Sequence, residues 1–94
     1  MTKYQMLYII DNELDQEAKD AIVEKISATI QELEGEVVSV DKWGTRKYAY
    51  PIDYKTEGYY VLTTFTASTA APAEIDRRMR IDDKIIRQLI TKEG

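Results

Sequence analysis

The chain has 94 residues, 13 of them basic and 17 acidic, and it contains neither cysteine nor histidine. This composition excludes a disulfide framework and a cysteine-type zinc site, and it removes the usual general base. A formal net charge of −4 argues against a free-standing nucleic-acid binder. At this length residues 1–94 are expected to form a single domain. No apolar run is long enough to span a bilayer and the N-terminus has no signal-peptide pattern, so a cytoplasmic protein fits best.

Charge is distributed unevenly along the chain. Residues 11–36 contain nine acidic side chains against two basic ones, whereas residues 41–50 contain three basic side chains against one acidic. Residues 76–92 contain six basic side chains against three acidic ones. Such segregation predicts one face that repels phosphate and another that attracts it. Chance clustering of charges on a small domain is the alternative explanation.

Residues 3–10 are rich in aromatic and β-branched side chains, which predicts a first strand. Alternation along this strand places one set of side chains towards the core: Tyr4, Met6, Tyr8 and Ile10. The opposite face keeps Leu7 and Ile9, which indicates that this face is covered by something.

A helix is predicted to begin after Asp15, whose carboxylate can accept the free N–H groups of the first turn. It is expected to end near Glu34, with Gly35 in the left-handed position that follows many helices. Its apolar residues recur every three or four positions and predict a stripe that packs on the core: Ala18, Ile22, Ile26, Ile30 and Leu33.

Residues 36–50 and 58–67 predict two antiparallel strands, with a bulge possible at Gly44. Pro51 is expected to end the first strand because it has no N–H to donate, and residues 53–57 are expected to form the loop. Three cations and three aromatic rings lie within residues 41–52, a combination suited to binding RNA or a partner protein. An edge strand whose charges prevent aggregation is the alternative.

A second helix is predicted from about residue 70, capped by Ser68 or Thr69 and with Pro72 in its first turn. Residues 84–92 predict the closing strand. The resulting order, strand–helix–strand–strand–helix–strand, predicts an α+β, ferredoxin-like βαββαβ sandwich with both helices on one face of a four-stranded antiparallel sheet.

The second face of that sheet has no helix over it in this arrangement. By alternation it carries four large side chains: Leu7, Ile9, Tyr60 and Leu62. An exposed apolar and aromatic face indicates a binding surface, and incomplete burial in a small domain is the alternative.

No catalytic constellation is present in the sequence. A seryl nucleophile lacks its histidine, and the four glycines are isolated rather than clustered in a phosphate-binding loop. The paired carboxylates of Asp82 and Asp83 are a poor candidate for a metal site, because neighbouring acids at a turn are usually solvated. The sequence therefore predicts no enzyme, no cofactor and no metal.

Several segments together carry a family resemblance. They are residues 43–52, W-G-T-R-K-Y-A-Y-P-I, followed by G-Y-Y at residues 58–60, with residues 4–10 opening the chain and residues 80–87 near its end. On these segments the chain resembles the bacterial small-subunit ribosomal protein six family over essentially its whole length. Two features depart from the family pattern: Tyr48 stands where leucine is usual, and the loop after the first strand lacks the usual proline.

The resemblance implies a structural constituent of the small ribosomal subunit that binds the central domain of 16S ribosomal RNA. It also implies a heterodimer with a small basic partner, small-subunit ribosomal protein eighteen, and no small-molecule substrate. A cationic partner explains how an acidic chain gains affinity for phosphate, and the acidic first helix should then point away from the RNA.

Two sets of binding residues are predicted, and Arg46, Lys47, Tyr50, Arg80 and Arg87 among them match the family pattern. Those expected to bind RNA are Lys3, Arg80, Arg87 and Lys92, and those expected to bind RNA or the partner are Arg46, Lys47, Tyr48 and Tyr50. A function of another class also remains open: a small ligand-binding or regulatory domain on the same fold that self-associates through its open sheet face.

Overall fold

The computed structural model describes the backbone of residues 1–52 and 55–93 and the side chains of residues 1–47 and 57–93. Its four strands form one antiparallel sheet in the order β2-β3-β1-β4, and its two helices complete the predicted ferredoxin-like arrangement. The elements are β1 Thr2–Asp11, α1 Gln16–Glu32, β2 Glu36–Ile52, β3 Lys55–Ala67, α2 Ala71–Arg80 and β4 Ile85–Lys92.

One face of the sheet packs against both helices and forms the core. The predicted alternation of β1 is confirmed: all four inward side chains are buried, and Tyr4 stacks on Phe65 with ring centroids 5.6 Å apart. The helices cover them with a row of apolar side chains: Ile22, Val23, Ile26 and Ile30 from α1, and Ile75 and Met79 from α2. Neither helix of the described chain has the length and apolar character needed to cross a membrane.

The two ends of α1 follow different rules. Asp15 is the N-cap as predicted, and its Oδ1 accepts a 2.8 Å hydrogen bond from the Ala18 N–H. At the C-terminal end the prediction is wrong, because the left-handed residue is Glu34, with φ 64°, and not Gly35. Gly35 is needed for space instead: a Cβ there would lie 2.8 Å from the carbonyl oxygen of Thr66. The glycine lets the start of β2 approach β3 closely.

The β2–β3 hairpin is longer than the sequence indicates. Its register shifts between Lys42 and Gly44, where φ is 86°, so the predicted bulge is confirmed. The predicted end at Pro51 is wrong, since β2 continues to Ile52, which pairs with Lys55. An edge strand tolerates proline because its outer side donates to no ladder, and β2 is an edge of this sheet. The connection therefore comprises only residues 53–54, which lie outside the described residues.

Helix α2 begins without a side-chain cap. The N-cap is Ala70, so neither Ser68 nor Thr69 caps the helix as predicted. The Ser68 carbonyl oxygen accepts a 3.1 Å hydrogen bond from the Ala71 N–H, and this backbone turn replaces the hydroxyl cap. Pro72 lies in the first turn, as predicted, where its missing N–H has no cost.

Candidate nucleic-acid and partner interface

The sheet face opposite the helices, here called the open face, has an apolar row at its centre. Leu7 of β1 lies directly opposite Leu62 on β3 and Leu89 on β4. No helix or strand of the described chain covers this row, and Leu89 is 61% exposed. Three leucines in line across three strands form a small apolar surface of the kind that binds a partner.

The next row of the open face joins the apolar surface to a cation. Ile9 is paired with Tyr60 on one side and Arg87 on the other. The predicted placement of Ile9 and Tyr60 on this face is confirmed, yet Ile9 itself is only 8% exposed. Larger neighbours shield it, so the accessible groups of this row are the tyrosine ring and the guanidinium.

An aromatic pair lies where the open face reaches the β2 edge. The rings of Trp43 and Tyr60 are nearly parallel, at 6°, with centroids 6.3 Å apart. The indole Nε1 donates a 3.1 Å hydrogen bond to Asp41 Oδ2, which fixes the ring beside the bulge. Arg46 and Lys47 border the same shallow hollow and are exposed. This hollow combines two aromatic rings with three basic side chains, since Lys42 also lines it, and with the Asp41 carboxylate.

The cations near the β2 edge are not equivalent. Lys42 Nζ lies 3.0 Å from Asp20 Oδ1 of α1, and the hydrogen bonds from Lys42 and then Gln16 lower the pKa of the Asp20 carboxyl. Lys42 is thus neutralised within the fold. Arg46 and Lys47 make no ion pair with any residue that the structure describes, which leaves their charge for an external anion. The predicted side chains of Tyr48 and Tyr50 lie outside the described residues.

A second cationic hollow lies at the other edge of the sheet, between α2 and β4. Arg80 and Arg87 both line it, together with Gln88. The Arg80 Nε donates a 2.7 Å hydrogen bond to Asp76 Oδ2, while the Arg80 side chain stays 71% exposed. The structure therefore brings together two of the four residues predicted to bind RNA.

The remaining arginines of α2 are neutralised inside the protein. Arg77 donates two hydrogen bonds to Glu74 and Arg78 donates one, and this hydrogen bonding, first from Arg77 and then from Arg78, lowers the pKa of the Glu74 carboxyl to about 2. Arg78 also lies 3.2 Å from Glu32 of α1, so it links the two helices. Only the end of α2 at Arg80 presents its cation towards β4.

The other two predicted RNA-binding residues lie away from the cationic hollows. Lys3 is exposed on the open face with Nζ 4.0 Å from Glu93 Oε1, and it is six residues from Ile9 along β1, roughly 20 Å. Lys92 pairs with Tyr4 and therefore lies on the helix-facing side of the sheet. The predicted residues thus form two close groups and two separate lysines.

Three residues of the candidate interface are not among those predicted individually from the sequence to bind RNA or the partner. Leu89 could have been found, because alternation along β4 puts it on the same side as Arg87. Trp43 is harder to place, since the bulge beside it breaks the alternation that assigns a face. Asp76 could not have been identified from the sequence, because it joins Arg80 of its own helix to Gln88 on β4, and that contact depends on the fold.

The acidic turn does not resemble a metal site. Asp82 Oδ2 lies 3.3 Å from Lys25 Nζ, and Asp82 Oδ1 accepts the backbone N–H of Lys84. Across residues 1–52 and 55–93 no three acidic side chains converge as metal ligands. These contacts close the turn before β4.

Comparisons with known proteins agree with this architecture. A family model described as ribosomal protein S6 matches residues 3–92. A relative named small ribosomal subunit protein bS6, from Desulforamulus reducens, is 45% identical over 94 residues, covering 100% of this chain and 99% of the relative. A relative of the same name from Alkaliphilus metalliredigens is 44% identical over 92 residues, covering 98% and 97%.

A solved structure agrees in fold. The crystal structure of 30S ribosomal protein S6 from Thermotoga maritima at 1.70 Å resolution has a TM-score of 0.94 and 27% sequence identity, covering 98% of this chain and 87% of that one. The family resemblance noted from the sequence is confirmed. The chain therefore belongs to the ribosomal protein S6 family, as a structural constituent of the small ribosomal subunit.

Proposed function

We propose that this chain binds the central domain of 16S ribosomal RNA in the cytoplasm, jointly with small-subunit ribosomal protein eighteen, during assembly of the small subunit. The observation that carries the proposal is the composition of the open face. The apolar row is uncovered, the exposed cation Arg87 lies in the next row at the β4 edge, and Arg46 and Lys47 border the hollow at the β2 edge. Apolar surface suits a protein partner and unpaired cations suit phosphate.

The distribution of charge supports joint binding. The acidic helix α1 packs on the opposite side of the sheet, so an RNA at the open face does not meet its carboxylates. The chain as a whole still carries a net charge of −4, and its few unpaired cations supply little affinity alone. A basic partner seated on the leucine row would add the missing positive field beside Arg87.

The proposal is tested by measuring binding to a 16S central-domain fragment across a salt series, with and without the partner protein. We expect tight binding that weakens steeply with salt only when both proteins are present. Replacing Arg80 or Arg87 by alanine should lower the slope of log K against log salt by about one for each lost phosphate contact.

Lys25→Ala is the matched control. It also removes one positive charge, but from a residue of α1 that lines neither cationic hollow, and it should leave the slope unchanged. An equal decrease of the slope in Arg80→Ala, Arg87→Ala and Lys25→Ala would mean that only the net charge of the protein determines binding. Absence of binding with the partner present would contradict the proposal. Self-association of the chain through Leu89, seen by sedimentation, would then favour the alternative of a self-associating domain on this fold.

A further inference from the structure

Two residues that line the hollow between α2 and β4, Arg80 and Gln88, hold one carboxylate between them, that of Asp76. Asp76 Oδ2 accepts the 2.7 Å hydrogen bond from Arg80 Nε, and Asp76 Oδ1 accepts a 3.0 Å hydrogen bond from Gln88 Nε2. The first partner lies one helical turn along α2 and the second lies on β4. Asp76 is therefore a bridge between the helix and the strand that carries Arg87.

This arrangement differs from an ordinary ion pair on a helix surface. An isolated pair at spacing i,i+4 holds two mobile side chains and contributes little, because both must be ordered by one contact. Here the amide of Gln88 fixes the carboxylate, and only 34% of the Asp76 side chain is exposed. A fixed carboxylate in turn fixes the position of the guanidinium that it accepts from.

The fixed guanidinium still has free donors. The contact with Asp76 uses the Nε–H, and the two terminal amino groups remain for an anion. Those groups can bind two oxygens of one phosphate in parallel, a geometry that arginine provides and lysine does not. Because the Arg80 side chain is 71% exposed, the fork is accessible beside Arg87.

We infer that Asp76, tethered by Gln88, is a positioning residue that holds Arg80 ready to bind an RNA phosphate. The inference rests on the proposed RNA binding. It adds Asp76 and Gln88, which contribute by positioning Arg80 and do not contact the RNA themselves. Holding a long side chain in its bound geometry removes part of the ordering cost of association. An acidic residue at an RNA surface then increases affinity instead of reducing it.

The sign of that effect makes the inference testable. If Asp76 only adds negative charge, Asp76→Asn removes a repulsive group and tightens RNA binding. If Asp76 positions Arg80, the same substitution weakens binding even though the protein becomes more positive. We expect about three- to tenfold weaker binding, the range that corresponds to losing one ordered side chain. The slope against salt should stay near that of the wild type, since Arg80 still makes its contact.

Three further variants isolate the mechanism. Asp83→Asn removes an exposed negative charge from the segment between α2 and β4, at a residue with no hydrogen bond or ion pair in the described part of the chain, and it should bind as tightly as wild type or slightly tighter. Gln88→Ala leaves the charge unchanged but releases the carboxylate, and it should weaken binding several-fold. Adding Asp76→Asn to Arg80→Ala should cause no further loss, because the residue acts only through that arginine.

All variants are measured with the partner protein on the 16S central-domain fragment, at a temperature where thermal unfolding shows each one folded. Weaker binding by Asp76→Asn and by Gln88→Ala, together with undiminished binding by Asp83→Asn, supports the positioning role. If the wild type binds RNA and Asp76→Asn binds equally well or more tightly, this inference is overturned and the proposed function is unaffected. Wild type that binds no RNA overturns both.

Discussion

Both faces of the sheet carry apolar and basic residues, but these residues have different surroundings on the two faces. On the helix side the apolar residues are enclosed, and Lys42, Arg77 and Arg78 have carboxylate partners within the protein. On the open side Leu89 is exposed, and Arg87 makes no ion pair with the described residues. Contacts on the first face stabilise the fold, whereas the Leu89 side chain and the Arg87 cation on the second face remain accessible. Substitutions on the helix side should therefore lower the free energy of unfolding, whereas substitutions on the open side should weaken binding.

The largest expected effect compares a buried ring with an exposed leucine. Phe65 on the helix side is fully buried, so Phe65→Ala should lower the free energy of unfolding by about 3–5 kcal/mol through lost burial and the cavity left behind. Leu89→Ala on the open side should change it by less than about 0.5 kcal/mol. Urea denaturation measures both. A similar loss in the two variants would mean that the open face also stabilises the monomer.

An intermediate effect is expected at two glycines, Gly44 within β2 and Gly35 directly before it. Gly35→Ala should cost about 1–3 kcal/mol, because the added methyl meets the Thr66 carbonyl oxygen at 2.8 Å and the backbones must move apart. Gly44→Ala meets no atom within 4 Å, and only its φ of 86° is unfavourable, which costs about 1–2 kcal/mol.

The two glycine mechanisms are distinguished by asparagine, which tolerates a left-handed φ better than alanine does. Gly44→Asn should recover part of the stability lost in Gly44→Ala, while Gly35→Asn should be worse than Gly35→Ala. Thermal unfolding of the four variants checks this. Recovery at residue 35 would show that conformation, not space, selects the glycine there.

The smallest expected effect is a pH dependence from the helix side. The Glu74 carboxyl has its pKa lowered from 4.5 to about 2 in the folded chain, so its ion pairs with Arg77 and Arg78 stabilise the protein fully above about pH 4.5. That contribution is lost as pH falls through about 2. Because these groups are exposed, the effect should be small and reduced by salt.

Glu74→Gln isolates this contribution. The variant should be less stable than wild type at pH 7, and the difference should shrink as the pH is lowered towards 2. Chemical denaturation at several pH values follows it. A difference that stays constant over this range would exclude titration of Glu74 as its source.

The parts of the fold that follow from local periodicity were predictable. Alternation placed Tyr8 inside and Leu7 outside, and the 3.6-residue period placed Ile26 and Ile30 on the core. The prediction for Gly35 is wrong because the nearest atom that a side chain there would meet, the Thr66 carbonyl oxygen, belongs to a strand 31 positions away in the chain. Sequence patterns report preferences for local conformation, and they do not report which backbone will lie opposite.

The site was predictable in composition but not in arrangement. Arg77, Arg78 and Arg80 look alike in the sequence, yet two are paired with Glu74 and the third is paired with Asp76 and lines the hollow beside β4. Which arginine remains available depends on side-chain geometry and on Glu32 from another helix. The resemblance to a family supplied most of the predicted binding residues, and the structure separates the described ones into groups.

The sheet order has a consequence for the timing of synthesis. The first strand made, β1, occupies an interior position, and its residue Tyr4 pairs with Lys92 near the end of the chain. A growing chain can form the local β2–β3 hairpin early, but β1 waits for β4 to leave the ribosome before its second edge is paired. Arg87 and Leu89 arrive with that last strand. The chain therefore completes its sheet and its open face in the same step, and no partially made copy can offer the whole surface to the subunit it helps to build.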